Sequence, residues 1–296
     1  MKKTVKINNI DLCYEIIGEN TCKNIVLIAG LGSQMIRWDN TFCQLLADKG
    51  FRVIRFDNRD SGCSIFNERK NFHLNHPIEE VLKDIRRENI PYSLQDMAED
   101  VIGLLDSLKI EKTHIAGRSM GGVIAQLLSS FYPERVQTMS IIMSTSLNPS
   151  LPPADPEVMA MMTKPRTDPS VCKENYFKES LAFAEKITGN NYRLDEEQEI
   201  KMIDEELSRS QSKGGIFRQL LAMGFYEYNE EILNKITAPV LVIHGTEDPI
   251  FHPDCAQDIT RSIPNSELLL IEGMGHSIPS ELYAVITDAV MNNCNK

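Results

Sequence analysis

Short apolar runs alternate with amphipathic stretches along most of this chain. Residues 25–29, 240–243 and 268–271 contain no polar side chain, and residues 53–56 and 136–142 are mostly apolar. A short run without polar alternation predicts a strand covered on both faces, as in a parallel sheet with helices front and back. Residues 112–116 predict one more such strand. Helical patterns fall between the runs. Leu94, Met97, Val101, Leu104 and Leu105 share one face, and Ser93 with Asp96 has the form of a capping box. Near the start, residues 6–10 and 12–16 predict a hairpin turning at Asn8-Asn9, because asparagine tolerates positive φ. Strand and helix in alternation predict an α/β fold with a mainly parallel central sheet and helices on both faces.

The alternation breaks twice. Residues 65–92 are charged, carry His73, His76 and Pro91, and predict an insertion beside the sheet. Residues 147–232 hold no convincing strand. They open on a proline-rich passage and continue with helical patterns at about 171–187, 194–210 and 214–225. The expected organisation is therefore a core of residues 1–146 and 233–296, with 147–232 inserted as a helical cap. No internal repeat is evident.

The chemistry begins where a predicted strand meets a predicted helix. Gly117-Arg118-Ser119-Met120-Gly121-Gly122 follows Lys112-Thr113-His114-Ile115-Ala116 and precedes an apolar helix ending at Tyr132-Pro133. Gly-x-Ser-x-Gly in that setting is a nucleophile elbow, a tight turn that lifts the serine hydroxyl above the sheet. The plainer alternative is a strand–turn–helix connection with a capping serine. A serine nucleophile needs a base, and the base needs an orienting carboxylate. Asp248 lies in a turn just past residues 240–243, with Glu247 as the competing acid; Asp248 is preferred because it directly precedes Pro249, where the chain leaves the turn. His276 lies in a loop past residues 268–271. Ser119, Asp248 and His276 thus fall at three strand ends, in the chain order that accompanies this elbow. The expected oxyanion donors are the backbone N–H of Met120, at the helix start, and that of Leu31 in Ala29-Gly30-Leu31-Gly32-Ser33, with Ser33 a lesser contributor. Gly30-x-Gly32 does not complete a dinucleotide fingerprint, since Met35 stands where the third glycine would fall.

Composition narrows the partners. The 31 basic and 42 acidic residues leave a formal charge of −11, which argues against nucleic acid or an anionic membrane surface. No signal-peptide pattern or spanning helix is evident, and seven scattered cysteines without metal-type spacing suit reduced thiols. A cytoplasmic protein acting on a small molecule, as a monomer or homodimer, is the expectation. His73 and His76 lack a third ligand nearby in sequence, so no metal site is expected. His244, at a strand end beside the acid turn, predicts packing behind the site, and His114 predicts a hydrogen-bonded core residue. Arg118 either meets a substrate carboxylate under the cap or pairs with a surface acid. Met159, Met161, Met162, Met202 and Met223 suggest an adaptable apolar lining or plain core. Trp38, the only tryptophan, either walls the pocket or packs in the core.

Taken together, these segments resemble the α/β-hydrolase superfamily over nearly the whole chain. Gly117–Gly122 is similar to its esterase and C–C hydrolase elbows, and residues 56–64 (Phe-Asp-Asn-Arg-Asp-Ser-Gly-Cys-Ser) look like its Asp-x-Arg-x-x-Gly-x-Ser segment. Asp60, where most relatives carry glycine, and Ile271-Glu272-Gly273-Met274-Gly275-His276-Ser277-Ile278-Pro279-Ser280 resemble the aclacinomycin methylesterase-like branch. The resemblance implies a Ser119–His276–Asp248 triad, the α/β-hydrolase fold with its cap, and no cofactor. Ala29 departs from the histidine that many relatives have in the oxyanion loop. Serine at the elbow weighs against the dehalogenases and epoxide hydrolases of this fold, which attack with aspartate. The expected activity is hydrolysis of a carboxylic ester. C–C cleavage, lactone opening or cofactor-free perhydrolysis on the same triad, and a non-catalytic small-molecule receptor, are the alternatives.

Overall fold

Asparagine turns open the sheet. Asn8 and Asn9 both take positive φ (43° and 62°) and join β1 (Lys3–Ile7) to β2 (Ile10–Ile17), as the hairpin pattern requires. The computed structural model describes residues 2–19, 23–66, 86–164, 166–209 and 214–296. The histidines at 73 and 76 lie outside the described residues. In chain order there follow β3 (Asn24–Ile28), α1 (Asn40–Asp48), β4 (Arg52–Phe56), the short β5 (Ile65–Phe66), α2 (Leu94–Ser107), β6 (Thr113–Arg118), α3 (Met120–Phe131) and β7 (Val136–Ile142). Then come α4 (Pro156–Thr163), α5 (Lys173–Thr188), α6 (Glu196–Arg209), α7 (Gly215–Gly224) and α8 (Glu230–Asn234). The chain closes with β8 (Val240–Gly245), α9 (Asp254–Ser262), β9 (Ser266–Ile271) and α10 (Tyr283–Cys294).

The strands form one sheet in the order β1-β2-β4-β3-β6-β7-β8-β9, with β5 paired to β2. It is parallel from β4 to β9 and antiparallel at the hairpin end. One face is covered by α2, α3 and α9, through residues such as Met97, Val101, Val123, Leu127 and Ile259. The other is covered by α1 and α10, through Phe42, Leu46, Ile286 and Val290. All five residues of β3 and all six of β8 are buried, the polar Asn24 and His244 at their ends included. β9 differs: it is an edge strand, and Leu270 is 41% exposed.

The capping box at α2 is present, with Ser93 N–H donating to Asp96 and Asp96 N–H to Ser93 Oγ. The three helical patterns expected between β7 and β8 correspond to α5, α6 and α7. The proline-rich passage holds a further helix: Pro156 takes the first position of α4, where a missing N–H costs nothing, and Asp155 caps it. The C-terminal ends of the parallel strands face one edge, where loops from several strands can meet.

Candidate active site

Gly117 and Gly121 make the turn after β6 possible. A Cβ on Gly117 would stand 2.2 Å from the Gly121 carbonyl oxygen, and one on Gly121 would stand 2.3 Å from that of Ile28. Between them Ser119 adopts φ 54° and ψ −127°, a conformation that non-glycine residues avoid. The strain is held by its surroundings: Ser119 N–H donates to Ile142 O at 3.0 Å, and Ser119 O accepts from Ser144 Oγ at 2.7 Å and from Gly122 N–H at 2.8 Å.

The loops after β8 and β9 bring the other two groups to this serine. His276 Nε2 is 3.0 Å from Ser119 Oγ, and His276 Nδ1 is 2.7 Å from Asp248 Oδ2. Asp248 is buried, and its other oxygen accepts the Ile250 and Phe251 N–H groups, both at 2.9 Å. Burial pushes this carboxyl upward. Electrostatic attraction from the His276 and His244 rings, with the hydrogen bonds from His276 and the Phe251 N–H, outweighs burial and holds it below the ordinary carboxylate range. Glu247 goes elsewhere: its Oε2 accepts the Asn190 N–H at 2.7 Å. His244 lies behind the acid, with Nε2 2.7 Å from Phe251 O and 3.4 Å from Asp248 Oδ2; burial lowers its pKa and keeps the ring neutral. The His276 loop is tied to the end of α5, through His276 N–H to Ile187 O and Gly275 N–H to Thr188 O.

The loop carrying Leu31 passes close to the nucleophile. A Cβ on Gly30 would lie 3.1 Å from Ser119 Cβ. Ala29 supplies no side chain to organise this loop, yet four other contacts hold it. Asn58 Nδ2 donates to Ala29 O (2.9 Å), Ser33 N–H to Gly30 O (3.2 Å), Met35 N–H to Asp57 Oδ1 (2.7 Å), and Gly32 N–H to Gln219 Oε1 (2.7 Å). Gln219 is fully buried on α7, and its amide donates back to Arg59 O and Ser61 Oγ. Met120 N–H begins α3, directly after Ser119.

Three buried or half-buried ion pairs and clusters tie the helices between β7 and β8 to the loops after β3 and β4, and the sequence did not signal them. Arg209 of α6 reaches Asp57 at 2.7 Å. Arg218 of α7 engages both oxygens of Asp60 at 2.7 Å, with Tyr92 OH donating to the same carboxylate. Asp60 takes φ 68°, so a residue in a conformation that favours glycine serves as the anchor of α7. Arg37 engages Glu199 and Glu206 of α6.

The remaining expected pocket residues divide. Trp38 is 1% exposed and packs against Phe42 at 5.3 Å between ring centroids. On α4, Met159 is exposed and Met162 half-buried. Arg118 is half-buried beside Ser119. His114 is a core residue bonded to Thr138 at 2.9 Å. A cavity of about 310 Å³ lined by Glu15, Asp39, Arg55 and Met202 lies apart from these groups and includes none of Ser119, Asp248 and His276. Cys13, Asp57 and Cys63 bring potential metal ligands within 4.8 Å of one another. This donor set suits a metal poorly: Arg209 already occupies Asp57, and burial raises the Cys13 thiol to about 12.

A hydroxyl on a strained strand-to-helix turn, an imidazole and a buried carboxylate, gathered at the ends of parallel strands, define a class of hydrolytic fold. The family model for the alpha/beta hydrolase fold matches residues 23–281, and the chain belongs to that family. Its relatives include rhodomycin D methylesterase DauP of Streptomyces sp. (strain C5), 27% identical over 96% of this chain and 94% of that protein. Poly(3-hydroxyalkanoate) depolymerase of Ectopseudomonas oleovorans is 30% identical over 63% of this chain and 62% of its own length. Among solved structures, a meta-cleavage product hydrolase of Pseudomonas fluorescens superposes with a TM-score of 0.75 at 18% identity, covering 99% of this chain and 97% of that one. Among the described residues, no helix is long and apolar enough to cross a membrane.

Proposed function

We propose that this chain is a serine carboxylesterase of the methylesterase type, acting on a small-molecule ester. The observation that carries this reading is the single imidazole lying 3.0 Å from Ser119 Oγ and 2.7 Å from Asp248. His276 takes the Ser119 proton as Oγ attacks the ester carbonyl, and Asp248 fixes the Nδ1–H tautomer and stabilises the imidazolium. The Met120 and Leu31 N–H groups hold the tetrahedral oxyanion. His276 then protonates the leaving alcohol, and water, activated by the same imidazole, releases the acid. No step needs a metal or an organic cofactor. Residues 147–232 act as the cap over the core of residues 1–146 and 233–296, with Met159 and Met162 on the substrate side. The full-length similarity to rhodomycin D methylesterases supports an ester as substrate. The dispersed cysteines support a cytoplasmic setting, and the expected working form is a monomer or homodimer.

The test is to trap the covalent intermediate. Rapid quench with a p-nitrophenyl ester, followed by peptide mass spectrometry, is expected to find the acyl group on Ser119 after a burst of nitrophenol. A burst without acylated Ser119, or turnover of lactones or vinylogous diketones to the exclusion of esters, rejects the reading.

Gln219 gives this mechanism a second check. Its carbonyl oxygen fixes the Gly32 N–H one residue from the proposed Leu31 donor. Gln219→Leu removes that tether and leaves the half-buried Gly32 N–H without an acceptor. A displacement of about 1 Å at a catalytic group can cost on the order of 10²-fold in rate. Steady-state kinetics are expected to show a fall of that order in kcat, with KM changing far less.

A further inference from the structure

Arg118 stands between Gly117 and Ser119 and shares a face of β6 with Ala116, toward Trp38, Ser33 and Tyr283. Five other buried or half-buried arginines each hold a carboxylate. Arg37 has Glu199 and Glu206, Arg55 has Glu15, Arg59 has Asp100, Arg209 has Asp57, and Arg218 has Asp60. Arg118 bonds no carboxylate among the described residues. One terminal nitrogen donates to Arg37 O at 3.1 Å, the other reaches Ser33 Oγ at 3.5 Å, and the guanidinium lies 5.8 Å from the Trp38 ring centroid.

The carboxylates in range are already engaged. Arg37 holds both oxygens of Glu199 and both of Glu206 at 2.7–2.8 Å. Two guanidiniums and two carboxylates make a neutral cluster, and that balance helps Arg118 keep its charge. Burial and the neighbouring Arg37 lower its pKa to about 10, which leaves it cationic at neutral pH. Arg118 and Ser119 are both half-buried, so solvent still reaches both residues. A forked cation with few acceptors, one residue before the nucleophile, has the form of a subsite for a planar anion.

We propose that Arg118 anchors an anion subsite beside Ser119, and that the ester hydrolysed here carries a free carboxylate. The identity of the substrate as an ester rests on the esterase reading above. A singly charged carboxylate suits the subsite better than a phosphate dianion, because Glu199 and Glu206 lie close by and the chain carries a formal charge of −11.

Two measurements test this. In the first, kcat/KM is compared for the monomethyl and dimethyl esters of succinate, glutarate and adipate. The wild type is expected to favour the monoesters. Arg118→Gln should lower the monoester-to-diester ratio by at least about ten-fold, as for one charge-assisted hydrogen-bonded pair, and Arg118→Lys should restore part of it. In the second, calorimetry measures the binding of succinate, glutarate, adipate and inorganic phosphate to Ser119→Ala with and without Arg118→Gln. A dicarboxylate is expected to bind only where Arg118 is present. An unchanged ratio, dicarboxylate binding that is absent or independent of Arg118, or a preference for phosphate overturns the proposal. Binding that depends on Arg118 without turnover of any ester would keep the anion subsite and reject the esterase reading. Ester turnover with no such binding would do the reverse.

Discussion

Replacing Ser119 with alanine is expected to lower kcat by about 10⁶-fold, the loss seen when the nucleophile of a serine hydrolase is removed. The substitution deletes one oxygen and leaves the turn intact. The contacts that hold the strained backbone are Ser119 N–H to Ile142 O and Ser144 Oγ to Ser119 O, and neither uses the side chain. Gly117 and Gly121 still leave room for the chain to reverse. The melting temperature is therefore expected to stay close to that of the wild type, while burst acylation and fluorophosphonate labelling disappear. Whatever rate survives would come from oxyanion donors and substrate positioning, which the substitution leaves in place. Turnover at the wild-type rate would end the assignment of Ser119, since no other hydroxyl is within bonding distance of His276 among the described residues.

The parts of this site that could be read from sequence are those specified by local chemistry. Gly117 and Gly121 are demanded by backbone atoms of the same turn and the adjoining strand, so their spacing carries the geometry. Asp248 was separable from Glu247 by its place before Pro249, and the two side chains do point to different partners. An apolar run reads the same at the middle of a sheet as at its rim, which hid the edge position of β9. Prolines masked α4, because Pro156 breaks a helix anywhere but at its first turn. The bonds Arg209–Asp57, Arg218–Asp60 and Gln219–Gly32 join residues 152 to 187 positions apart, and no periodicity announces such pairs. They also explain how a loop with Ala29 in place of histidine stays ordered. The inserted helix α7 supplies through Gln219 a brace that does not come from the loop itself. Docking of that helix and the geometry of the proposed oxyanion site are thereby one structural event.

Asp248→Asn is expected to lower kcat by about 10⁴-fold, although the new side chain has nearly the same shape. The reason lies in which oxygen is replaced. Asp248 Oδ1 accepts two backbone N–H groups, from Ile250 and Phe251. An asparagine must keep its carbonyl oxygen there, because an NH₂ group would face two donors. Its amide nitrogen then falls at the Oδ2 position, opposite His276 Nδ1. Facing a donor, Nδ1 must become the acceptor, and the ring proton moves to Nε2, beside Ser119 Oγ. The imidazole then has no lone pair to receive the serine proton. Proton NMR supplies an independent readout. The strongly hydrogen-bonded Nδ1–H resonance of the wild type should vanish in Asp248→Asn while the fold is kept. If the variant retained both that resonance and a near-normal kcat, the imidazole would be oriented by another acid, and Asp248 would have no part in the reaction.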